Sequence, residues 1–134
     1  MQEQDTIYLD KNGKQQITSN HDLSNLNTKE IIQIGFYKNS NGEIQVVQMP
    51  RTIEKVPIKL PPAITSLNSM FLFAKSFNQD ISQWDTSNVT KMSSMFEGAI
   101  SFNQDISGLN TSKVTDMSNM FCSAWSFNQD IANW

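Results

Sequence analysis

The sequence predicts an α+β repeat fold: a short right-handed solenoid with an N-terminal β-hairpin cap. Each 25-residue coil would hold one short strand and one short helix. The first observation behind this prediction is the hexapeptide SFNQDI, which begins at Ser76, Ser101 and Ser126. The second is that neighbouring columns recur at the same interval, namely Met70-Phe71, Met95-Phe96 and Met120-Phe121 with Ala74, Ala99 and Ala124. A fixed period of about 20–50 residues is typical of stacked structural units.

The helix of each coil is predicted by apolar spacing. Met92, Met95, Phe96 and Ala99 follow the i, i+3, i+4, i+7 pattern of one helical face. A threonine stands just ahead of each such run, where its hydroxyl could cap the first free amides; these are Thr65, Thr90 and Thr115. Residues 102–109 are too short and polar for a second helix, so we expect a strand that pairs in parallel with its equivalents. Residues 85–88 (DTSN) and 110–113 (NTSK) are rich in the Asp, Asn and Ser residues that favour turns, so we predict a turn at each.

The chain divides into residues 1–60, a β-hairpin region and cap, and residues 61–134, a solenoid of about three repeats. Strands at 6–9 and 14–17 flank the turn signal Asn12-Gly13, which predicts a first hairpin. Residues 30–37 and 43–49, joined by 38–42, predict a second and stronger hairpin. The polar stretch 20–28 predicts little regular structure. Between the prolines, alternation of Val56, Ile58 and Leu60 predicts a short extended segment.

Composition excludes some classes of function. The 134 residues carry a net charge of −3 with a pI near 5.0, which argues against a nucleic-acid partner. No stretch of 18 apolar residues occurs, so we expect no membrane insertion by this chain. The N-terminus lacks the basic and apolar regions of a secretory signal. Because the sequence ends at Trp134, midway through a repeat, we expect a fragment of a longer repeat protein.

The Asn-Gln-Asp columns allow two interpretations. One is a calcium ladder, since Ca²⁺ prefers carboxylate and amide oxygens. The other is a structural ladder in which Asn and Gln pair backbone groups between coils and Asp accepts bonds from nearby amides or hydroxyls. The second is favoured, because buried backbone groups must be paired and the GGxGxD nonapeptide is absent. We therefore expect no metal and no cofactor. The ladder residues are Asn78, Asp80, Asn103, Asp105, Asn128 and Asp130.

No catalytic constellation is present in the sequence. Cys122 is the single cysteine, so no intrachain disulfide can form, and the single histidine, His21, lies in the other half of the chain. No glycine-rich phosphate loop occurs. The methionines recur at helical spacing beside Phe and Ala, which predicts core positions rather than a Met-rich binding surface. We expect no enzyme, unless His21 lies in a pocket with carboxylates.

The variable columns predict the contact surface. Positions 72/97/122, 73/98/123 and 75/100/125 change without regard to polarity, so we expect them to face outward. The candidate partner-binding residues are Glu97, Ile100, Cys122 and Trp125. Trp125 is a candidate contact aromatic, because Trp is favoured in binding hot spots. The favoured alternative is that Trp125 packs over the neighbouring coil or would be covered by a further repeat.

A family resemblance is carried by three segments and one residue. They are VTKMSSMF (89–96), SFNQDI (101–106), WDTSN (84–88) and Ala99. The sequence resembles a mycoplasma surface-lipoprotein repeat family of unknown function, related to BspA-like leucine-rich repeats. The resemblance covers residues 61–134, and residues 34–54 resemble the stretch that precedes such repeats. It implies a solenoid of leucine-rich-repeat type and display at the extracellular cell surface. It supplies no catalytic residues, and the chain contains no lipobox.

Together these features predict a non-enzymatic, surface-displayed binding or adhesion module. Its partner would be a protein or another host-surface ligand. The alternative is a structural, self-assembling module that stacks through an exposed C-terminal coil. The unpaired edge at Ile131 to Trp134 motivates this alternative, because an unpaired edge can recruit another chain.

Overall fold

The fold is a stack of turn-rich units that begins with two small antiparallel sheets. In the computed structural model, which describes residues 2–134, the strands are β1 (Thr6–Leu9), β2 (Gln15–Thr18), β3 (Glu30–Gln33), β4 (Phe36–Lys38) and β5 (Ile44–Val46). One sheet has the order β2-β1-β3 and the other pairs β4 with β5. No helix occurs within residues 2–134. The predicted α+β solenoid of leucine-rich-repeat type, with a strand and a helix in each coil, is therefore wrong.

The first predicted hairpin is confirmed, with its second strand displaced by one residue. β1 and β2 pair antiparallel, from Thr6 opposite Thr18 to Leu9 opposite Gln15. The turn places Gly13 at φ +77°, a left-handed conformation that glycine adopts without steric cost. The Gly13 N–H donates to the Asp10 carbonyl (2.9 Å), and the Asp10 carboxylate accepts the N–H groups of two further turn residues.

The second hairpin is shorter than predicted. β4 and β5 pair around the 39–43 turn, but residues 30–33 form β3, which pairs with β1 in the other sheet. Gly35 separates the two strands at a close backbone approach. A Cβ at Gly35 would collide with Thr6 Oγ1 and lie 3.0 Å from the Gln4 carbonyl oxygen. The predicted strand at residues 30–37 is therefore divided between the two sheets near Gly35, which has no side chain.

The predicted helices are pairs of tight turns. In residues 92–99 the Met95 N–H donates to Met92 and the Ala99 N–H to Phe96, each to a carbonyl three residues back. The third residue of each turn has positive φ, +56° at Ser94 and +70° at Gly98, as type II turns require. The same arrangement recurs in the other two repeats, with positive φ at Ser69, Phe73, Asn119 and Ser123. The threonines predicted as helix caps therefore cap no helix.

The predicted parallel strand at residues 102–109 is also wrong, because residues 102–106 are irregular and residues 107–108 form a turn. Parallel pairing occurs elsewhere, as single bridges that join Gln45 to Ser66, Ser66 to Lys91 and Lys91 to Asp116. The predicted turns at 85–88 and 110–113 are confirmed by 3.0 Å bonds from Val89 to Thr86 and from Val114 to Thr111. The alternation at Val56, Ile58 and Leu60 does not form a strand, and Ile58 is exposed.

Three repeats stack in register, and they are repeat 1 (residues 64–88), repeat 2 (89–113) and repeat 3 (114–134). Two columns of phenylalanine rings run through them: Phe71, Phe96 and Phe121, and Phe77, Phe102 and Phe127. Ring centroids along the columns are 5.6–6.0 Å apart and nearly parallel, within the range of favourable aromatic pairs. Methionine and alanine side chains of repeats 1 and 2 complete the core, as their spacing indicated.

The N-terminal residues extend this stack. Residues 44–57 lie against repeat 1, where the Val46 N–H donates to the Ser66 carbonyl (3.0 Å) and the Met49 N–H to the Met70 carbonyl (2.8 Å). Residues 21–31 lie against residues 48–55 through parallel bridges from Asp22 to Gln48 and from Glu30 to Lys55. The polar stretch 20–28 therefore forms part of a further layer. The β2-β1-β3 sheet occupies that end of the stack.

Candidate functional site

The asparagine column joins neighbouring repeats through the backbone. Asn78 Oδ1 accepts the Asn103 N–H (2.9 Å), and Asn103 Oδ1 accepts the Asn128 N–H (2.9 Å). The next glutamine in each repeat adds a bond, because Gln104 Nε2 donates to the Asn78 carbonyl (3.0 Å) and Gln129 Nε2 to Asn103 Oδ1 (2.9 Å). In repeat 3, no bond from another residue of the described chain reaches Asn128 Oδ1. Its acceptor is therefore free to receive a further donor.

The aspartate column forms bonds within its own repeats. Asp80, Asp105 and Asp130 each accept the backbone N–H two residues further on, at 2.8–3.0 Å. The Ser82 N–H lowers the pKa of Asp80 from its ordinary value, and the Ser107 hydroxyl does so for the pKa of Asp105. Within residues 2–134, no group of three or more His, Cys, Asp or Glu side chains could hold a metal ion.

Of the candidate contact residues, Glu97 and Cys122 lie in the second turn of repeats 2 and 3, and Ile100 and Trp125 follow directly after that turn. Glu97 and Ile100 are half-buried, and Cys122 is exposed. The Trp125 side chain is 80% exposed, more than any other large apolar residue of the described chain. Register stacking places Ile100 and Trp125 in one column and Glu97 and Cys122 in another. The structure brings these residues to the turn edge of the stack without forming an enclosed pocket around them.

Repeat 3 presents an apolar face on the side away from repeat 2. Side chains that are buried in repeats 1 and 2 have half-buried counterparts there. We call this surface the open face, formed by Val114, Met117, Phe121, Phe127, Ile131 and Trp134. The open face also presents backbone N–H groups at positions 117, 119, 121 and 123, for which residues 2–134 provide no acceptor. The sequence interpretation located the bare edge at 131–134 and missed these donors.

A shallow polar cavity of about 280 Å³ lies in the N-terminal layers. It brings His21 close to Asp22, Tyr37 and Ser69, which is the combination of histidine and carboxylate that would favour an enzyme. The His21 ring stacks on Tyr37, with centroids 3.6 Å apart, and burial raises the pKa of Tyr37. No hydrogen bond links the His21 ring to Asp22 or Ser69, although a base that activates a nucleophile needs such a contact.

Comparison with known proteins places the repeats in a family. The family described as "Mycoplasma protein of unknown function, DUF285" matches residues 51–134, which is more than half of the chain. The chain belongs to this family. The matched region of the DUF285 family begins inside the layer formed by residues 44–57 and includes all three repeats. It therefore contains the asparagine column, Trp125 and the open face.

Family membership assigns no activity, because the family description gives the function as unknown. No curated protein and no solved structure matches the chain. Within residues 2–134 no helix is long and apolar enough to cross a membrane. The signal for the missed turn geometry lay in Gly98 and Asn119, because glycine and asparagine are the residues that a type II turn favours at its third position.

Proposed function

We propose that this chain is a non-enzymatic binding module displayed at a cell surface, with a protein or another host-surface ligand as its partner. Trp125 is the single observation that carries the proposal. It is a large aromatic side chain at 80% exposure, in a column where the other repeats have Lys75 and Ile100. The stack does not require an aromatic at this position. A rigid exposed aromatic is the side chain that most often anchors a protein interface.

The ordered repeats support this proposal by fixing the spacing of the variable side chains. The phenylalanine columns and the asparagine bonds hold neighbouring repeats together, whereas the Cys122 and Trp125 side chains are exposed. A rigid scaffold lowers the entropy lost when a partner binds. Extracellular display and kinship with BspA-like repeats belong to this proposal, on the strength of the sequence resemblance.

A cell-binding assay tests the proposal directly. Fluorescently labelled chain is titrated onto cultured animal epithelial cells and measured by flow cytometry, for the parent chain and for Trp125→Ala. Saturable binding is expected, weakened about tenfold in the variant, as for a hot-spot residue. Ile58→Ala is the matched control, because Ile58 is an apolar residue at 71% exposure outside the variable columns. Absence of saturable binding, or equal loss in both variants, would contradict the proposal.

A second candidate function is structural assembly through the open face. The observation that favours it is the half-exposure of Phe121 and Phe127, whose equivalents in repeats 1 and 2 are fully buried. Exposed apolar surface bordered by unpaired backbone donors favours association with another chain. Sedimentation equilibrium tests this candidate. Concentration-dependent association that Phe127→Glu abolishes would support it, and a strict monomer at high concentration would count against it.

A further inference from the structure

We propose that the open face of repeat 3 is a binding site for one more unit of the same 25-residue repeat, presented with a free carbonyl edge. This inference concerns the same surface as the assembly candidate, the open face, but it does not depend on association between two copies of the chain. It goes further by assigning the chemistry of the partner. The structure contains two internal examples of the complex, since the corresponding faces of repeats 1 and 2 are each covered by the next repeat.

The hydrogen-bond register defines what the site accepts. In repeat 1 the N–H groups of alternate residues donate to carbonyls 24 positions ahead, at 2.8–3.0 Å; these donors are Leu67, Ser69, Phe71 and Phe73. In repeat 2 the same row donates to repeat 3 at 2.8–3.0 Å, from Met92, Ser94, Phe96 and Gly98. The equivalent row in repeat 3 is Met117, Asn119, Phe121 and Ser123, whose N–H groups have no acceptor in the described chain. A partner must therefore supply alternate carbonyls at this spacing.

The open face also offers acceptors at the positions where a repeat unit carries donors. The Thr90 N–H donates to the Thr65 carbonyl and the Thr115 N–H to the Thr90 carbonyl, both at 2.8 Å. The Thr115 carbonyl is the next member of this series and receives no bond from residues 2–134. Asn128 Oδ1 is likewise the next member of the asparagine column. A repeat unit would fill both acceptors with backbone N–H groups of its threonine and asparagine positions.

The apolar part of the site selects aromatic side chains. Phe96 and Phe102 cover Phe71 and Phe77 with ring centroids 5.6 and 5.8 Å apart. Phe121 and Phe127 form the same closely stacked pair, at 4.1 Å, and their outer faces are uncovered. A partner with two phenylalanines six residues apart, as in MFxxAxSF, would continue both columns. Burial of apolar area would then stabilise the complex in addition to the backbone bonds.

A second folded copy of this chain does not offer the required edge. The carbonyls of repeat 1 that would match are already used, since Ser66 and Met70 accept bonds from Val46 and Met49. The opposite end of the stack presents β2, a strand of different sequence. A second open face offers no matching row of carbonyls, because the alternate carbonyls of repeat 3 already accept bonds from repeat 2. The partner that fits is therefore a repeat segment whose carbonyl edge is unpaired.

The test adds a synthetic peptide of residues 89–113 to the full chain and measures amide hydrogen exchange residue by residue. Exchange at positions 117, 119, 121 and 123 is expected to slow by about tenfold or more, as for amides that enter hydrogen bonds. The control peptide carries Phe96→Asp and Phe102→Asp and is expected to give no protection. Equal protection by the two peptides would overturn the proposal.

A covalent version excludes weak affinity or peptide aggregation as the reason for a negative result. A copy of residues 110–134 is appended after Trp134, with and without aspartate at the two phenylalanine positions. Absence of protection at the four amides in the unsubstituted extension would overturn the proposal. Protection of these amides in the parent chain alone at high concentration would also overturn it, since the occupant would then be a second copy. Sedimentation of the parent chain tests assembly separately, because a monomer that still binds the peptide contradicts only the assembly candidate.

Discussion

At the scale of single residues, backbone conformation controls how each repeat folds. Six residues of the three repeats have positive φ, and five of them are not glycine. A side chain in this region costs about 1–3 kcal/mol unless the surroundings compensate. Phe73 is the bulkiest of the six, and its ring lies against Gly98 in the next repeat. The Arg51 guanidinium carbon lies 6.0 Å from the centroid of the same ring.

Substitution of Gly98 tests this arrangement. Gly98→Ala places a Cβ on a residue at φ +70°, in collision with the Phe73 ring. We expect the free energy of unfolding to fall by about 1–3 kcal/mol, measured by urea denaturation. Gly108→Ala is the matched control, because Gly108 lies in the same repeat with open space around it. Equal effects of the two substitutions would show that the left-handed turn is not strained by a side chain.

The exposed aspartates predict a loss of stability in acid. Serine N–H and hydroxyl donors lower the pKa values of Asp80, Asp85, Asp105 and Asp116 below the ordinary 3.8. Because the folded pKa is the lower one, this stabilisation is complete above 3.8 and is lost as the pH falls through the lowered values. We therefore expect the thermal midpoint to change little down to about pH 5 and to fall below about pH 4. Asp105→Asn, which keeps an acceptor but cannot titrate, should make that fall shallower, and an unchanged pH profile would contradict the assignment.

At the scale of the element, part of the repeat could be predicted from the sequence. The 25-residue period, the buried Met, Phe and Ala columns and the first hairpin follow from spacing and turn chemistry. The helix prediction failed because apolar residues at i, i+3 and i+4 also suit two successive tight turns. Local spacing does not show that alternate N–H groups bond to the next repeat rather than four residues back. The open donors of repeat 3 could not be predicted without that bonding pattern.

The asparagine column allows a comparison within one element. Asn103→Ala removes the acceptor of the Asn128 N–H and of Gln129 Nε2. We expect a loss of about 0.5–1.5 kcal/mol in urea denaturation, the usual net value of such a bond. Asn128→Ala is the control, since it changes the same residue type in the same column at a position where no donor of residues 2–134 reaches the side-chain oxygen. The control should have little effect, and equal losses would mean that the side-chain bonds between repeats do not contribute.

At the scale of the whole molecule, stability should depend on position along the stack. Each repeat contacts only its neighbours, so the free energy of unfolding is approximately a sum of repeat terms and interface terms. Repeat 2 has an interface on both sides, whereas repeat 3 has one interface and the open face. The same substitution in one column should therefore cost more in repeat 2 than in repeat 3.

Phe96→Ala and Phe121→Ala test this expectation in one phenylalanine column. Phe96 is fully buried between the Phe71 and Phe121 rings, and its truncation should cost about 3–5 kcal/mol in the free energy of unfolding. Along this column Phe121 has a neighbouring ring on one side only and is half-buried, so its truncation should cost about half as much or less. Urea denaturation gives both free energies. In hydrogen exchange, the Phe121 variant should lose amide protection only in repeat 3, whereas the Phe96 variant should lose it across the stack. Equal costs with the same exchange pattern would mean that the chain unfolds as one cooperative unit in which repeat 3 is no less supported than repeat 2.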